Sequence, residues 1–207
     1  MDAEPPPFAP LMLDLDGARD GDPILDWRVV FAADRPVELE IGIGKGRFLL
    51  DAAARHPETN FVGVEWAGKY LRLAASRGWR RGLTNIRFAR ADGREFVEFF
   101  VPSQSLAAIR VLFPDPWPQK RHHKRRLINQ EFLAEVERVL RPGGRLWLAT
   151  DHAEYFASME ETLGGCPGLR PVDGDWTGAR TNYEDKYVTQ GRPIHRRVVE
   201  KTSPGLP

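Results

Sequence analysis

The sequence is short of cysteine, of long apolar runs and of net charge, and each shortage narrows what the chain can be. With Cys166 as its one cysteine, it can form neither an internal disulfide nor a Cys-rich metal centre, which suits a reducing compartment. Cys166 itself reads as a small buried residue and not as a nucleophile. No apolar stretch approaches the roughly 20 residues that cross a bilayer, and the start, MDAEPPPFAP, lacks the basic and apolar regions of a signal peptide. A cytoplasmic protein with no membrane partner is expected. His122 and His123 are adjacent, with no Cys or acidic ligand pattern nearby, so no metal site is expected either.

The near-neutral total, +1, conceals a segregation of charge. Residues 1–26 carry seven acids against Arg19 alone, whereas Lys69 to Arg94 holds eight Lys/Arg against Asp92, and Arg110 to Arg126 holds six against Asp115. If the two basic segments converge in space they make a polyanion-binding face; if not, they are solvated helix faces. At 207 residues and 42% hydrophobic the chain suits one compact core. Residues 1–26, rich in Pro, Gly and Asp, are expected to form a mobile tail ahead of a single domain over 27–207.

After Pro36, short apolar runs alternate with helical patterns. Val37–Ile41, Phe61–Glu65, Ile86–Arg90, Ala107–Phe113 and Arg145–Thr150 read as strands, and Arg47–Arg55, Lys69–Arg77 and Asn129–Leu140 as helices, the last terminated by Arg141-Pro-Gly-Gly. Ile194–Lys201 reads as a final antiparallel edge strand. The alternation predicts an α/β fold: a mostly parallel sheet with helices on both faces, whose ligands bind at the carboxyl ends of the strands.

Chemistry-bearing residues gather at those ends. The first strand runs into Glu40-Ile-Gly42-Ile-Gly44-Lys-Gly46, where glycine permits a tight turn and close approach of a ligand. A dinucleotide fingerprint wants a third glycine where Arg47 stands. The acid-x-Gly-x-Gly-x-Gly pattern instead resembles the first motif of the Rossmann-like methyltransferases, in which the loop borders S-adenosylmethionine. Glu65 ends the second strand, placed to accept ribose hydroxyls, and Asp92 ends the third, near an adenine amino group. Each acid alone could equally be a helix cap.

The fourth strand ends in Phe113-Pro-Asp115-Pro-Trp117-Pro118, two prolines restricting the backbone around one carboxylate. Directly beyond lies Gln119-Lys120-Arg121-His122-His123-Lys124-Arg125-Arg126, a run able to neutralise several phosphates. Together with the glycine loop, Ala149 to Tyr155 (ATDHAEY) and Arg180 to Lys186 (RTNYEDK), this segment resembles the bacterial tRNA (guanine-N7) methyltransferases over roughly residues 35–201. The resemblance implies S-adenosylmethionine as cofactor and a guanine of the tRNA variable loop as acceptor. It makes Glu40, Gly42, Gly44, Glu65, Asp92 and Asp115 cofactor contacts, with Asp115 also catalytic. Asp151, Thr181, Asn182, Tyr183 and Glu184 become the guanine site, and Lys120 to Arg126 the RNA contact. The family's lysine four residues after the catalytic aspartate is Gln119 here, with Lys120 beside it.

Guanine N7 offers an in-plane lone pair without losing a proton, so positioning and not a general base is expected to dominate. Asp115 is expected to offset the charge that develops on the base, and Asp151 and Glu184 to grip N1–H and the exocyclic amine. Trp117 and Tyr183 are each either base-stacking or packing residues. The working unit is expected to be a monomer, with a homodimer as the alternative. Three rivals stand beside this reading: an NAD-linked oxidoreductase, an RNA-binding domain without cofactor, and a methyltransferase for exocyclic amines.

Overall fold

The computed structural model describes residues 5–15, 25–176 and 181–202, and of Asn182 the backbone alone. Seven strands form one sheet in the order β3-β2-β1-β4-β5-β7-β6. β1 (Val37–Ile41), β2 (Asn60–Val64), β3 (Ile86–Ala89), β4 (Leu106–Leu112) and β5 (Leu140–Thr150) run parallel. β7 (His195–Lys201) lies antiparallel to β5, pairing Val198 with Trp147.

The expected last strand is therefore present and antiparallel, but it lies one place in from the edge. β6 (Leu169–Val172) covers its outer side. The Arg141-Pro-Gly-Gly segment does end α5 (Gln130–Val139), and it also opens β5, with Gly143 at φ 74° making the bend.

Alternation along the strands sends apolar side chains to two layers. On one face Leu39, Ile41, Ile109, Val111, Leu146 and Leu148 pack with α1 (Trp27–Phe31), α4 (Gly93–Phe100), α5 and α6 (Ala153–Gly164). On the other, Phe61, Ile86 and Phe88 pack with α2 (Arg47–Arg55) and α3 (Gly68–Arg80) through Leu49, Leu50, Leu71 and Ala74. The short α7 (Asn182–Thr189) is tied to α2 by an Arg47–Asp185 ion pair. Asn85 fastens the lower end of α2: its Nδ2 donates to the carbonyls of Ala53, His56 and Thr59, at 2.8 to 3.1 Å.

Part of the leading segment is attached to this frame. A turn of 3-10 helix at Ala9–Leu11 buries Leu11 against α3 and β3, Met12 bridges to Phe88, and Leu13 N–H donates to Phe88 O at 2.8 Å. Residues 1–4 and 16–24 lie outside the described residues. Cys166 is buried and donates to Gln130 Oε1, and burial pushes its thiol pKa up, as befits a packing residue.

Candidate active site

The upper ends of β1, β2, β3 and β4 enclose a cleft of about 690 Å³ lined by Gly42, Gly44, Glu65, Asp92 and Asp115, with Trp66, Tyr70, Arg94, Leu112 and Tyr183 completing the wall. Five of the six expected cofactor contacts thus share one cavity. Its floor is the glycine loop, with Gly42, Gly44 and Gly46 at φ 76°, 53° and 73°, a conformation that costs a side-chain-bearing residue about 1 kcal/mol or more. A Cβ on Gly46 would also sit 2.7 Å from Ala74 Cβ, whereas Gly42 and Gly44 face open space into which a ligand can come close.

The acids of this cleft are already at work on backbone. Glu65 Oε2 accepts Gly44 N–H and Oε1 accepts Ala67 N–H, both at 2.8 Å, so one carboxylate clamps the glycine loop to the start of α3. Each oxygen keeps a second lone pair for a hydroxyl donor. Asp92 caps α4, its Oδ1 accepting from the amides of Arg94 and Glu95 at 2.8 and 3.3 Å. The helix-cap role and a ligand-facing position coexist here.

Glu40 departs from the expectation. Leu39 and Ile41 face the layer of α4 and α5, which turns Glu38 and Glu40 to the opposite side of β1. There Glu40 is 3% exposed, and it lines a small space of about 30 Å³ with Thr181 and Tyr183, outside the cleft wall. Its Oε2 has no partner among the described residues, and burial lifts its pKa from 4.5 to about 8 despite the opposing pull of Arg110. Around neutral pH it is an uncharged acid behind the loop.

Asp115 stands exposed at the rim on a turn whose flanks, Phe113 and Trp117, are both left-handed, at φ 57° and 44°. Non-glycine residues in that region hold local strain that the surroundings must maintain. The restraints are visible. Phe113 N–H donates to Ala149 O at 2.8 Å, and its ring meets Tyr183 and Tyr187. From the other end, Arg126 reaches back to Pro116 O at 2.9 Å.

Arg126 is the clearest correction to the basic run. It is 4% exposed, stacks on Tyr155 at 4.7 Å and pairs through both terminal nitrogens with Glu154, at 3.1 and 2.5 Å. That pairing holds the Glu154 carboxyl below its usual range. Buried this way, Arg126 ties the Asp115 turn to α6. The run itself is a 3-10 helix, Lys120–Arg125, which leaves Lys120, Arg121, Lys124 and Arg125 exposed and His122 and His123 half-buried. Trp117 takes His122 against its edge and Arg125 over its face at 4.9 Å, and both Trp117 and Arg125 also line the first cleft. Tyr183, 52% exposed, lines the cleft beside Phe113 and Tyr187.

The expected guanine residues are divided. Thr181 is buried and its Oγ1 accepts Glu184 N–H at 3.0 Å, capping α7. Glu184 enters a second cleft, of about 630 Å³, on the α2 side of the sheet, walled by Phe48, Arg110, Trp147 and Trp176. Leu112 borders both clefts. Asp151 follows β5 and pairs with Arg192 at 2.6 Å, and Glu184 pairs with Arg196 at 2.5 Å. The arginines of Gly-Arg192-Pro-Ile-His-Arg196 carried no signal in the sequence, since nothing in their spacing marks a site. The Asn182 side chain and Arg180 lie outside the described residues. Among the described residues no cluster of His, Cys, Asp and Glu suits a metal ion, and no helix is long and apolar enough to cross a membrane.

A glycine loop after β1, acids at the ends of β2 and β3, and this sheet order define a methyltransferase of Rossmann-like fold. A family model described as "Putative methyltransferase" matches residues 34–197. The tRNA (guanine-N(7)-)-methyltransferase of Vibrio parahaemolyticus is 40% identical over 170 residues, 81% of this chain and 70% of that protein. That of Geobacter metallireducens is 38% identical over 187 residues, 87% of this chain and 89% of its own length. This chain belongs to the tRNA (guanine-N(7)-)-methyltransferase family. Among solved structures, TrmN from Thermus thermophilus matches with a TM-score of 0.60 at 25% identity, over 84% of this chain and 46% of that one. The 16S rRNA methyltransferase KamB shares the fold, with a TM-score of 0.62 at 15% identity over 84% and 91% of the two chains.

Proposed function

We propose that this protein transfers the methyl group of S-adenosylmethionine to N7 of a guanine in the variable loop of tRNA, with residues 27–207 working as one domain in the cytoplasm. The observation that carries the reading is the meeting of two clefts at Leu112, Asp115 on the rim of one and Glu184 in the wall of the other. N7 lies on the major-groove edge of guanine, apart from the donors at N1 and the 2-amine. A base laid across Leu112 turns N7 toward the first cleft and those donors toward Glu184 and Asp151.

The cofactor suits the first cleft because the loop at Gly42 and Gly44 is open and each Glu65 oxygen keeps a lone pair able to accept a hydroxyl. Bound there, it supplies a methyl group already activated by its sulfonium. The rest falls to the protein. Glu65 and Asp92 hold the ribose and base ends, and the pinned turn keeps Asp115 where positive charge grows on the acceptor. Holding two reactants in line can lower a barrier by about 7 to 11 kcal/mol, and no residue need remove a proton for N7 to attack. Lys120, Arg121, Lys124 and Arg125 guide the RNA backbone to the rim.

The test is to incubate the protein with unmodified tRNA and labelled S-adenosylmethionine, digest the RNA and identify the labelled nucleoside. The expected product is 7-methylguanosine in the variable loop. Label in 1-methylguanosine or a methyladenosine overturns the acceptor assignment.

A further inference from the structure

We propose that Arg192 and Arg196 are positioning residues that set acceptor specificity, by holding Asp151 and Glu184 as fixed, acceptor-only carboxylates. The inference rests on the reading of those two acids as the groups that grip guanine.

Both pairs have the same unusual build. Asp151 and Glu184 are the enclosed partners, with side chains 12% and 13% exposed, and the arginines lie outside them at 45% and 34%. Each cation is held from a second side by an aromatic ring. Arg192 lies over Tyr187 at 4.6 Å, and Arg196 over Trp176 at 5.4 Å. A planar guanidinium fixed on a ring face loses little further freedom on pairing, so both acids meet a cation that is already in place.

Of the four residues Glu184 alone lines the second cleft, and the two pairs tie α7 and the turn beyond it to their neighbours. Arg192 stands just beyond α7 and reaches the acid after β5; Arg196 is on β7 and reaches back into α7. Each ion pair engages one oxygen, Asp151 Oδ2 and Glu184 Oε1. A carboxylate has about four acceptor sites, so capacity remains for a base. Such a group can only accept. It matches guanine, whose N1–H and 2-amine are donors, and opposes adenine, whose N1 is an acceptor. Specificity built on paired polar groups is strong because the wrong ligand leaves them unpaired. A carboxylate that swung away would lose that discrimination.

The experiment uses the full chain and two substrates: a tRNA with guanosine at the methylated position, and the same tRNA with inosine there, which keeps N7 and N1–H but lacks the 2-amine. Steady-state constants are measured for wild type, Arg192→Ala, Arg196→Ala and the two Lys variants, with S-adenosylmethionine affinity and melting temperature alongside. Each Ala variant is expected to raise KM for tRNA by about two- to five-fold with cofactor affinity unchanged. Its penalty for inosine is expected to shrink, and the Lys variants to recover part of both. An inosine penalty that stays at the wild-type value in both Ala variants overturns the proposal, as does a loss of rate that only follows a lowered melting temperature. A wild-type enzyme that makes 7-methylguanosine yet treats the two tRNAs alike refutes the grip on the 2-amine and, with it, the proposal. A different methylated nucleoside instead overturns the underlying function.

Discussion

The two sides of Leu112 are built by different means. On the side proposed for the cofactor the frame is backbone: left-handed glycines, a capped helix, and a Glu65 carboxylate engaged by two amides. On the side proposed for the acceptor the frame is ionic. Asp151, Glu184 and Asp185 are held by Arg192, Arg196 and Arg47, and the element that carries two of them, α7, is eight residues long. A backbone frame survives the loss of most single side chains, whereas an ion-paired frame does not. The cofactor pocket should therefore be robust, and substrate selection the more easily altered.

The sharpest test of that contrast is Asp115, which stands at the junction. Asp115→Ala is expected to lower the rate of methyl transfer by about 100- to 1000-fold, with melting temperature close to wild type. Near-normal turnover would remove the residue from the chemistry. The next largest effect is expected on RNA affinity. Replacing Arg121, Lys124 and Arg125 with Gln should reduce the slope of log affinity against log salt by roughly one for each phosphate no longer neutralised, while calorimetry finds S-adenosylmethionine binding intact. An unchanged slope would show that these exposed cations do not meet the RNA.

Arg126→Ala separates the inward arginine from its outward neighbours. It removes hydrogen bonds to Pro116 and Glu154 from a buried site, at an expected cost of about 1 to 3 kcal/mol in stability. Denaturant unfolding reads that cost, and turnover should fall as the Asp115 turn loosens. The salt slope should not move; if it does, Arg126 also reaches the RNA. The effect of Glu40 differs in kind, because it is a dependence on pH. Its carboxyl holds a proton to about pH 8 when folded and to about 4.5 when unfolded. The folded state then binds the extra proton between those limits, so this residue lowers stability as pH rises through the window. Glu40→Gln should flatten the fall in melting temperature from pH 5 to 8, and an equal slope in both proteins would place the titration elsewhere.

Much of the frame was legible because strand and helix periods differ. The α2 limits, the glycine loop and the first four parallel strands stood out within a residue, whereas β5 begins five residues before the stretch read as strand. β6 did not: Leu-Arg-Pro-Val is too short to alternate, and its one buried residue, Leu169, gives no period. The face of Glu40 was available in principle, since Leu39 and Ile41 on the core side of β1 commit their neighbours to the other. Strand-end acids draw attention to their chemistry and away from that parity. Arg126 was unreadable for another reason. It follows six residues of 3-10 helix and switches to extended backbone, φ −60° and ψ 134°, so the last arginine of a uniform run turns inward with nothing in composition to announce it. The acceptor side was least legible, because ion pairs between α7, β5 and β7 depend on residues distant in sequence.

The docking of residues 9–13 has a meaning for how the sheet meets its surroundings. An open sheet offers unpaired amides and carbonyls along its outermost strands, a template for other chains to join. Met12 and Leu13 occupy that template on β3, in part. At the opposite border β6 is four residues long and carries Pro171, which has no amide to give. Neither border is a long, bare strand. Solubility at high concentration should therefore depend on the leading segment, and a chain beginning at residue 25 should aggregate more readily while its clefts remain formed.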